Sequence, residues 1–373
     1  MAGSETTEHR TYTEIFSQYD ALRRTVAYIA GQADRVRAFF NRLPHGAITY
    51  VGCGSSYCLC QSAELTAKMR LGRPASVLAA GDLMMNFPHY RQMLRGSTLV
   101  APSRSGSTTE VVVAFRKARE ELGLPCMSIC ATEDSELAAI CDLTLEIPWA
   151  FDHSVCQTRT VTNLYAANLV TVGLLSGDRS LLREIDGAVE SGESFMERYT
   201  APLRQIAEDS SWEKAVVLGD SEIQGIAAEG AVALMEIPQV HANHYHLLDV
   251  RHGPMVLLDH RTLVIMAVSQ HGAGYQRDLV RDLLKKGCRV VTVGVETRGG
   301  WGSDLHVATG HVDNYAVLGI PFIFVPQAIG YYRAVASGIN PDRPAGLDPW
   351  IELVQVHEDD EPALEVASRG TQP

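Results

Sequence analysis

The sequence predicts an α/β protein of two units, each a parallel sheet flanked by helices in a three-layer sandwich. Short apolar runs alternate with amphipathic stretches at strand–helix–strand spacing. The order of elements restarts near residue 215. The chain has 373 residues, enough for two compact domains.

Ile15, Tyr19, Leu22, Val26 and Ile29 recur at three- and four-residue intervals, so 10–43 reads as helix, ended by Pro44-His45-Gly46. Residues 48–54 read as a buried strand running into a glycine turn. Next come a helix over 57–71, strands over 76–80 and 98–103, and an amphipathic helix over 108–122. Apolar runs at 125–131 and 143–149 supply two more strands, and 159–176 reads as helix. Residues 179–210 are helical with charged faces. The pattern then returns: strand 215–220 into a glycine turn, helix 222–236, strand 263–269, helix 273–286 and strand 290–295. An apolar segment from Pro321 becomes a helix to about 337. This order divides the chain into an N-terminal helical segment (1–47), a first domain (48–178), a helical connector (179–210), a second domain (211–350) and a tail (351–373). The tail is acidic and then polar, the composition of a mobile end.

Hydrophobic residues make up 46% and charged residues 20%, as in globular enzymes. A net charge of −12 repels nucleic acid and anionic membranes, so neither is expected as a partner. The opening residues carry no apolar h-region, and no stretch reaches the roughly 18 apolar residues of a membrane span. The eight cysteines form no CxxC pair and mostly sit in apolar runs, which reads as reduced, buried thiols in a cytoplasmic protein.

Two turns carry the chemistry. Val51-Gly52-Cys53-Gly54-Ser55-Ser56-Tyr57 ends a strand in glycines and offers two hydroxyls at the mouth of a helix. Glycine lets backbone approach a ligand, and open parallel sheets bind ligands at the carboxyl ends of their strands. A tight turn with serine capping is the competing reading. Pro102-Ser103-Arg104-Ser105-Gly106-Ser107-Thr108-Thr109-Glu110 places five hydroxyls, one arginine and one glycine between a strand and a helix. Helix-start N–H groups, hydroxyls and a guanidinium together cradle an anion. Capping accounts for one or two of those hydroxyls, not all five.

Glu236 follows the apolar run Ala231-Val232-Ala233-Leu234-Met235. Partial burial there raises a carboxyl pKa, which suits proton transfer next to a carbonyl. An exposed helix-end glutamate is the alternative. Glu229 lies seven residues earlier on roughly the same helix face and reads as a second acid or as an ion-pair partner. His252, in Arg251-His252-Gly253-Pro254, exchanges protons near neutrality, which suits acid–base work; a plain turn histidine is the alternative. His241, His244 and His246 have a spacing that permits metal binding, but no carboxylate motif completes a hard-metal site, so no metal is expected.

Together, over about 48–350, these motifs resemble the SIS (sugar isomerase) superfamily. Its pattern is strand–CG[TS]S–helix, then strand–S-x-S-G-x-T–helix about fifty residues later. Cys156-Gln157-Thr158-Arg159-Thr160 resembles the family's hydroxyl-rich loop before a helix. Residues 230–236 resemble its helix ending in a catalytic glutamate, and 250–254 its [FL]-[KR]-H-G-P turn. Residues 338–347 resemble the C-terminal segment of its isomerase and amino-sugar deaminase branches. The resemblance implies two flavodoxin-like SIS domains and proton transfer between C1 and C2 of an anionic hexose, such as a sugar phosphate, through a cis-enediol or enolamine. It implies that Ser55 and Ser56 contact sugar hydroxyls and that Ser103, Arg104, Ser105 and Thr108 hold the anion. Gln157 and Glu229 join the substrate-binding set, and Glu236 is the base. His252 assists ring opening from a partner subunit, in a homodimer with a shared site. No cofactor is implied.

The chain departs from the family in three places. Amino-sugar synthases and several deaminases carry a Schiff-base lysine where this chain reads Leu347-Asp348-Pro349-Trp350, and no lysine follows. Ala233 stands where many isomerases have a helix lysine three residues before the glutamate. Arg104 replaces the usual glutamine of the anion loop, and its fork suits a phosphate, a sulfonate or a carboxylate. The expected activity is therefore aldose–ketose isomerisation rather than glucosamine-6-phosphate synthesis. An amino-sugar phosphate deaminase or fructosamine-phosphate deglycase is the alternative, and a non-catalytic sugar-phosphate sensor a further one. In the second half, Gly219-Asp220-Ser221 and Ser269-Gln270-His271-Gly272 lack the full hydroxyl cradle, so one site per chain is expected.

Overall fold

Runs of valine, isoleucine and leucine form strands that are buried on both faces, the habit of parallel sheets covered by helices. The computed structural model describes residues 9–43, 46–296, 298–310 and 312–348. Pro44 and His45 of the expected helix end, Pro349, Trp350 and the 351–373 tail lie outside those residues.

The first sheet contains β1 (Ala47–Gly52), β2 (Ala75–Ala79), β3 (Ser97–Ser103), β4 (Cys126–Cys130) and β5 (Leu143–Glu146), in the order β2-β1-β3-β4-β5. The second contains β6 (Lys214–Leu218), β7 (His241–Tyr245), β8 (Thr262–Val268), β9 (Arg289–Gly294) and β10 (Leu305–Ala308), in the order β10-β9-β8-β6-β7. Every pairing is parallel. Counted from its own first strand, each sheet has the flavodoxin-like order 2-1-3-4-5, so each has a point where the winding reverses.

Fourteen helices surround the sheets among the described residues. The N-terminal ones are α1 (Arg10–Phe16), α2 (Gln18–Gly31) and α3 (Ala33–Phe40). The first half adds α4 (Gly54–Leu71), α5 (Ala80–Met85), α6 (Phe87–Leu94), α7 (Thr109–Leu122), α8 (Glu136–Ile140) and α9 (Arg159–Ser176). Then come α10 (Arg179–Glu190), α11 (Gly192–Glu208), α12 (Gln224–Glu236), α13 (Ala273–Lys285) and α14 (Gly319–Ala336).

Period-two alternation divides each strand between two cores. Ile48, Tyr50 and Val100 of the first sheet and Ala215, Val217 and Ile265 of the second face one shared cluster. Val51, Leu99 and Ala101 face a separate core on the far side, and Val216, Leu218 and Val264 face another. The shared core contains residues of α4, α9, α12 and α14, so the two halves are joined through apolar packing.

Several expectations need correction. The helix expected over 10–43 is three helices, broken at Ser17 and Gln32. A straight helix of that length would run about 50 Å, past the edge of a small domain. The breaks let the segment bend while still burying Ile15, Leu22, Ile29 and Val36. Helices α5 and α6 and the edge strands β7 and β10 were not foreseen; β7 and β10 carry histidines and lack the apolar run of a central strand. An apolar segment long enough to cross a membrane does exist, over 315–336, but 89% of its window is buried inside the protein. Here α14 packs against α1, α9, α11 and α12 as a core helix.

Two contacts fix the second half on the first. At Gly225 of α12, a Cβ would lie 2.0 Å from the Cys58 carbonyl oxygen of α4, so only glycine permits this approach. The next residue, Ile226, donates its N–H to the Ser62 hydroxyl at 3.0 Å. Nearby, the Arg70 guanidinium donates to both carboxylate oxygens of the buried Glu222, at 2.5 and 2.9 Å, and to Asn314 at 2.8 Å.

Candidate functional site

A cavity of about 500 Å³ opens where β1 and β3 end, at the winding reversal of the first sheet. Its floor begins with the glycine turn after β1. A Cβ at Gly52 would meet the Ser56 backbone at 2.8 Å, and Gly54 has a φ of +51°. These two glycines let the chain turn sharply, so Ser55 and Ser56 enter the first turn of α4 on the cavity wall.

The loop after β3 forms the opposite wall. Ser103 accepts the Gly106 N–H at 2.8 Å, and Ser105 accepts the Ser107 N–H at 3.2 Å, so these hydroxyls also shape the turn. Gly106 has a φ of +62°, and a Cβ there would sit 2.3 Å from the Ser135 hydroxyl. Thr108 is the N-cap of α7, but its side chain caps no N–H. The start of this helix, of 14 residues, therefore presents N–H groups and a hydroxyl to the cavity.

Arg104 lines the same wall. Its Nη1 donates to the Ser154 and Val155 carbonyls, both at 3.0 Å, and its guanidinium lies 6.0 Å from the Phe151 ring centre. Burial pulls its pKa down, while Asp152, Glu236 and Glu14 pull it up. The loop it holds is also braced from beneath. Asp152 accepts the Thr158 and Thr160 N–H groups at 2.7 and 2.8 Å, and Glu14 accepts those of His153 and Ser154 at 2.6 and 3.2 Å. This loop carries Val155 and Gln157 into the cavity wall, and the Gln157 amide oxygen is buried with no partner.

Glu236, at the end of α12, reaches this cavity from the second half of the chain. Burial pushes its carboxyl above the ordinary range, opposed by the Cys156 thiol and by Arg104. Glu229 does not line the cavity. It is 1% exposed, and burial and the Glu236 charge push its pKa well up, against a hydrogen bond from Ser55. It therefore stands behind Ser55, away from the cavity wall. His252 is exposed, caps a short 3-10 turn with its N–H on Asp249 at 2.8 Å, and does not line the cavity of its own chain.

The structure thus gathers Ser55, Ser56, Ser103, Arg104, Ser105, Thr108, Gln157 and Glu236 around one cavity. It also adds residues that sequence reasoning missed. Glu110, Glu136 and Asp348 face the same space, so four carboxylates stand against one guanidinium in the wall. The net field of this wall is therefore not cationic, and an anion could be held there only by close donors. Glu110 was within the hydroxyl-rich motif; Glu136 and Asp348 carried no local signal. In β7, His241 and His244 fall on opposite faces. The His244 ring lies 5.9 Å from that of His246, just past the strand, and His246 pairs with Asp220 at 3.0 Å. Among the described residues no group of three metal-ligating side chains comes together.

This geometry defines a doubly wound α/β protein whose strand switch point holds a cavity lined by hydroxyls, a guanidinium and a half-buried acid. Residues 44–172 match the SIS domain family. It is 26% identical over 361 residues to the glutamine–fructose-6-phosphate aminotransferase (isomerizing) of Escherichia coli O6:H1, covering 91% of this chain and 58% of that one. The chain therefore spans little more than half the length of that relative. The tagatose-6-phosphate ketose/aldose isomerase of Escherichia coli superposes with a TM-score of 0.82 at 20% identity, over 94% of this chain and all of the other. The glucosamine-6-phosphate deaminase of Thermotoga maritima gives 0.70 at 23% identity, over 88% and 99%. These likenesses establish the SIS fold.

Proposed function

We propose that this protein is an aldose–ketose isomerase of an anionic hexose, such as a hexose phosphate. The observation that carries the reading is Glu236, a carboxyl of raised pKa in the wall of the same cavity that the 103–108 loop lines. The cradle holds the anion through the α7 N–H groups, the Thr108 and Ser105 hydroxyls and Arg104. Ser55 and Ser56 take sugar hydroxyls. With the anionic end fixed, C1 and C2 of the open chain lie at Glu236. Its carboxylate removes the proton from one of these carbons, giving a cis-enediol, and returns it to the other; the proton on oxygen moves between O1 and O2, so nothing is gained or lost. A raised pKa suits both halves of this exchange.

The likeness to a ketose/aldose isomerase supports this reading, and so does the absence of lysine from the cavity wall among the described residues. His252 acts in ring opening from a second copy of the chain. Val256 and Leu257, 79% and 67% exposed beside it, are the apolar surface that such a copy would cover. The eight free cysteines suit a cytoplasmic setting.

Glu236→Gln keeps the shape and removes the proton shuttle. Turnover of the hexose phosphate should fall by about 10²–10⁴-fold with binding retained. Steady-state kinetics and equilibrium binding on the same preparation test this, and turnover within about threefold of the parent would end the proposed mechanism.

A further inference from the structure

A second cavity, of about 550 Å³, lies behind Arg104. It shares Arg104 and Val155 with the first. Three parts of the chain wall it: Arg10 at the start of α1, the 151–155 loop, and the Asp342-Arg343 turn. Arg10, Arg104 and Arg343 bring three guanidiniums to this space, and His153 brings an imidazole. In a chain of net charge −12, such a convergence runs against the overall field.

Asp342 in this wall is already occupied, while the buried Asp152 keeps one oxygen without a hydrogen-bond partner. Asp342 accepts the Arg10 and Thr11 N–H groups at 3.0 and 2.8 Å and the Thr11 hydroxyl at 2.8 Å. That bonding pins the start of α1 to the 342–343 turn, which holds the backbones of Arg10 and Arg343 at the same wall. Asp152 is 1% exposed and spends one oxygen on Thr158 and Thr160; burial and the neighbouring Glu14 raise its pKa to about 6. By contrast, no ion pair joins the Arg10 or Arg343 guanidinium to an acid among the described residues. Both are exposed and mark the open side of the cavity.

We propose that this cavity is a second binding site, for a small oxyanion of the phosphate-ester class, distinct from the sugar site and sharing the Arg104 wall with it. Guanidinium forks match the paired oxygens of such a group, and Arg10 and Arg343 supply them from two sides. Two anions flanking one guanidinium repel each other, so binding at either cavity weakens binding at the other by the same factor. The site does not depend on the isomerase reading.

Isothermal titration with inorganic phosphate on the full chain tests it. The parent should take up two phosphates per chain. The Arg10→Ala, Arg343→Ala double variant should lose one of them, with an affinity drop of about tenfold or more at that site. The Ser105→Ala, Thr108→Val double variant should weaken the other phosphate and keep this one. Melting curves without phosphate check that each variant is folded; if the arginine pair melts early, the single Arg343→Gln replaces it. One phosphate per chain in the parent, or two of unchanged affinity in the arginine variant, would overturn the proposal. Failure of the Ser105 and Thr108 variant to change anything would strike the anion cradle instead and leave this site standing.

Discussion

Where β3 ends in the first sheet, the following loop and the turn after β1 border a cavity of about 500 Å³. In the second sheet, a space of about 70 Å³ borders the loops after β8 and β9 and takes no residue from the turn after β6. The strand order is the same in both. The loops after β3 and β8 also differ in their own hydrogen bonding. Gln276 of α13 folds back over the loop after β8, accepting the Ser269 N–H at 3.0 Å and donating to the His271 carbonyl at 2.6 Å. Its amide therefore occupies polar groups of the loop after β8 itself. The loop after β3 closes on its own small hydroxyls, and the helix behind it starts with a threonine that caps nothing. A parallel sheet therefore supplies the location of a site, and the loop side chains decide whether it is open. The second half contributes a wall: α12 crosses to α4 at Gly225 and delivers Glu236.

The largest blow to this division of labour should come from Arg70→Ala. It strands the buried Glu222 carboxylate between the halves and should cost about 3–5 kcal/mol in denaturant unfolding. A loss below about 1 kcal/mol would show that apolar packing alone joins the halves.

Arg104→Ala tests the open switch point. The affinity for a hexose phosphate should drop by about 1.5–3 kcal/mol, with its neutral parent sugar little affected. Equal losses for both would remove the guanidinium from anion binding. The same variant carries a signed pH effect. Arg104 favours the charged form of Glu236, so its removal should move the acid limb of kcat/KM to higher pH. A limb that stays put or moves down would separate Arg104 from Glu236.

The smallest effect should follow Gln276→Ala behind the loop after β8. Loss of its hydrogen bonds should cost about 1 kcal/mol of stability and leave turnover within about twofold. Gain of a hexose-phosphate site there, seen by titration, would show that the plug alone keeps the second half silent.

Much of the first half was legible because its signals are local. The two glycine–hydroxyl turns sit within a few residues of the strands that position them, and both reached the cavity as read. Glu229 and Glu236 looked equivalent on a helical period, yet one is buried behind Ser55 and the other lines the cavity. Their separation depends on where α12 meets α4, which no spacing within α12 reveals. The polar strand β7 was hidden for a related reason: an edge strand is chosen by its neighbour and not by its own hydrophobicity.

The sequence by itself determined the parallel α/β layers, the sharp turns after β1 and β3 and the chemistry of the side chains on them. Periodicity and glycine sterics act over neighbouring residues, so they are written in order along the chain. Only the tertiary structure decided that α12 of one half completes a cavity of the other, that His252 stands outside it, and that Arg104 is a wall between two cavities. Those outcomes follow from which helix faces can approach, a matter of a missing Cβ at Gly225 against the Cys58 carbonyl, and such contacts join residues far apart in the chain.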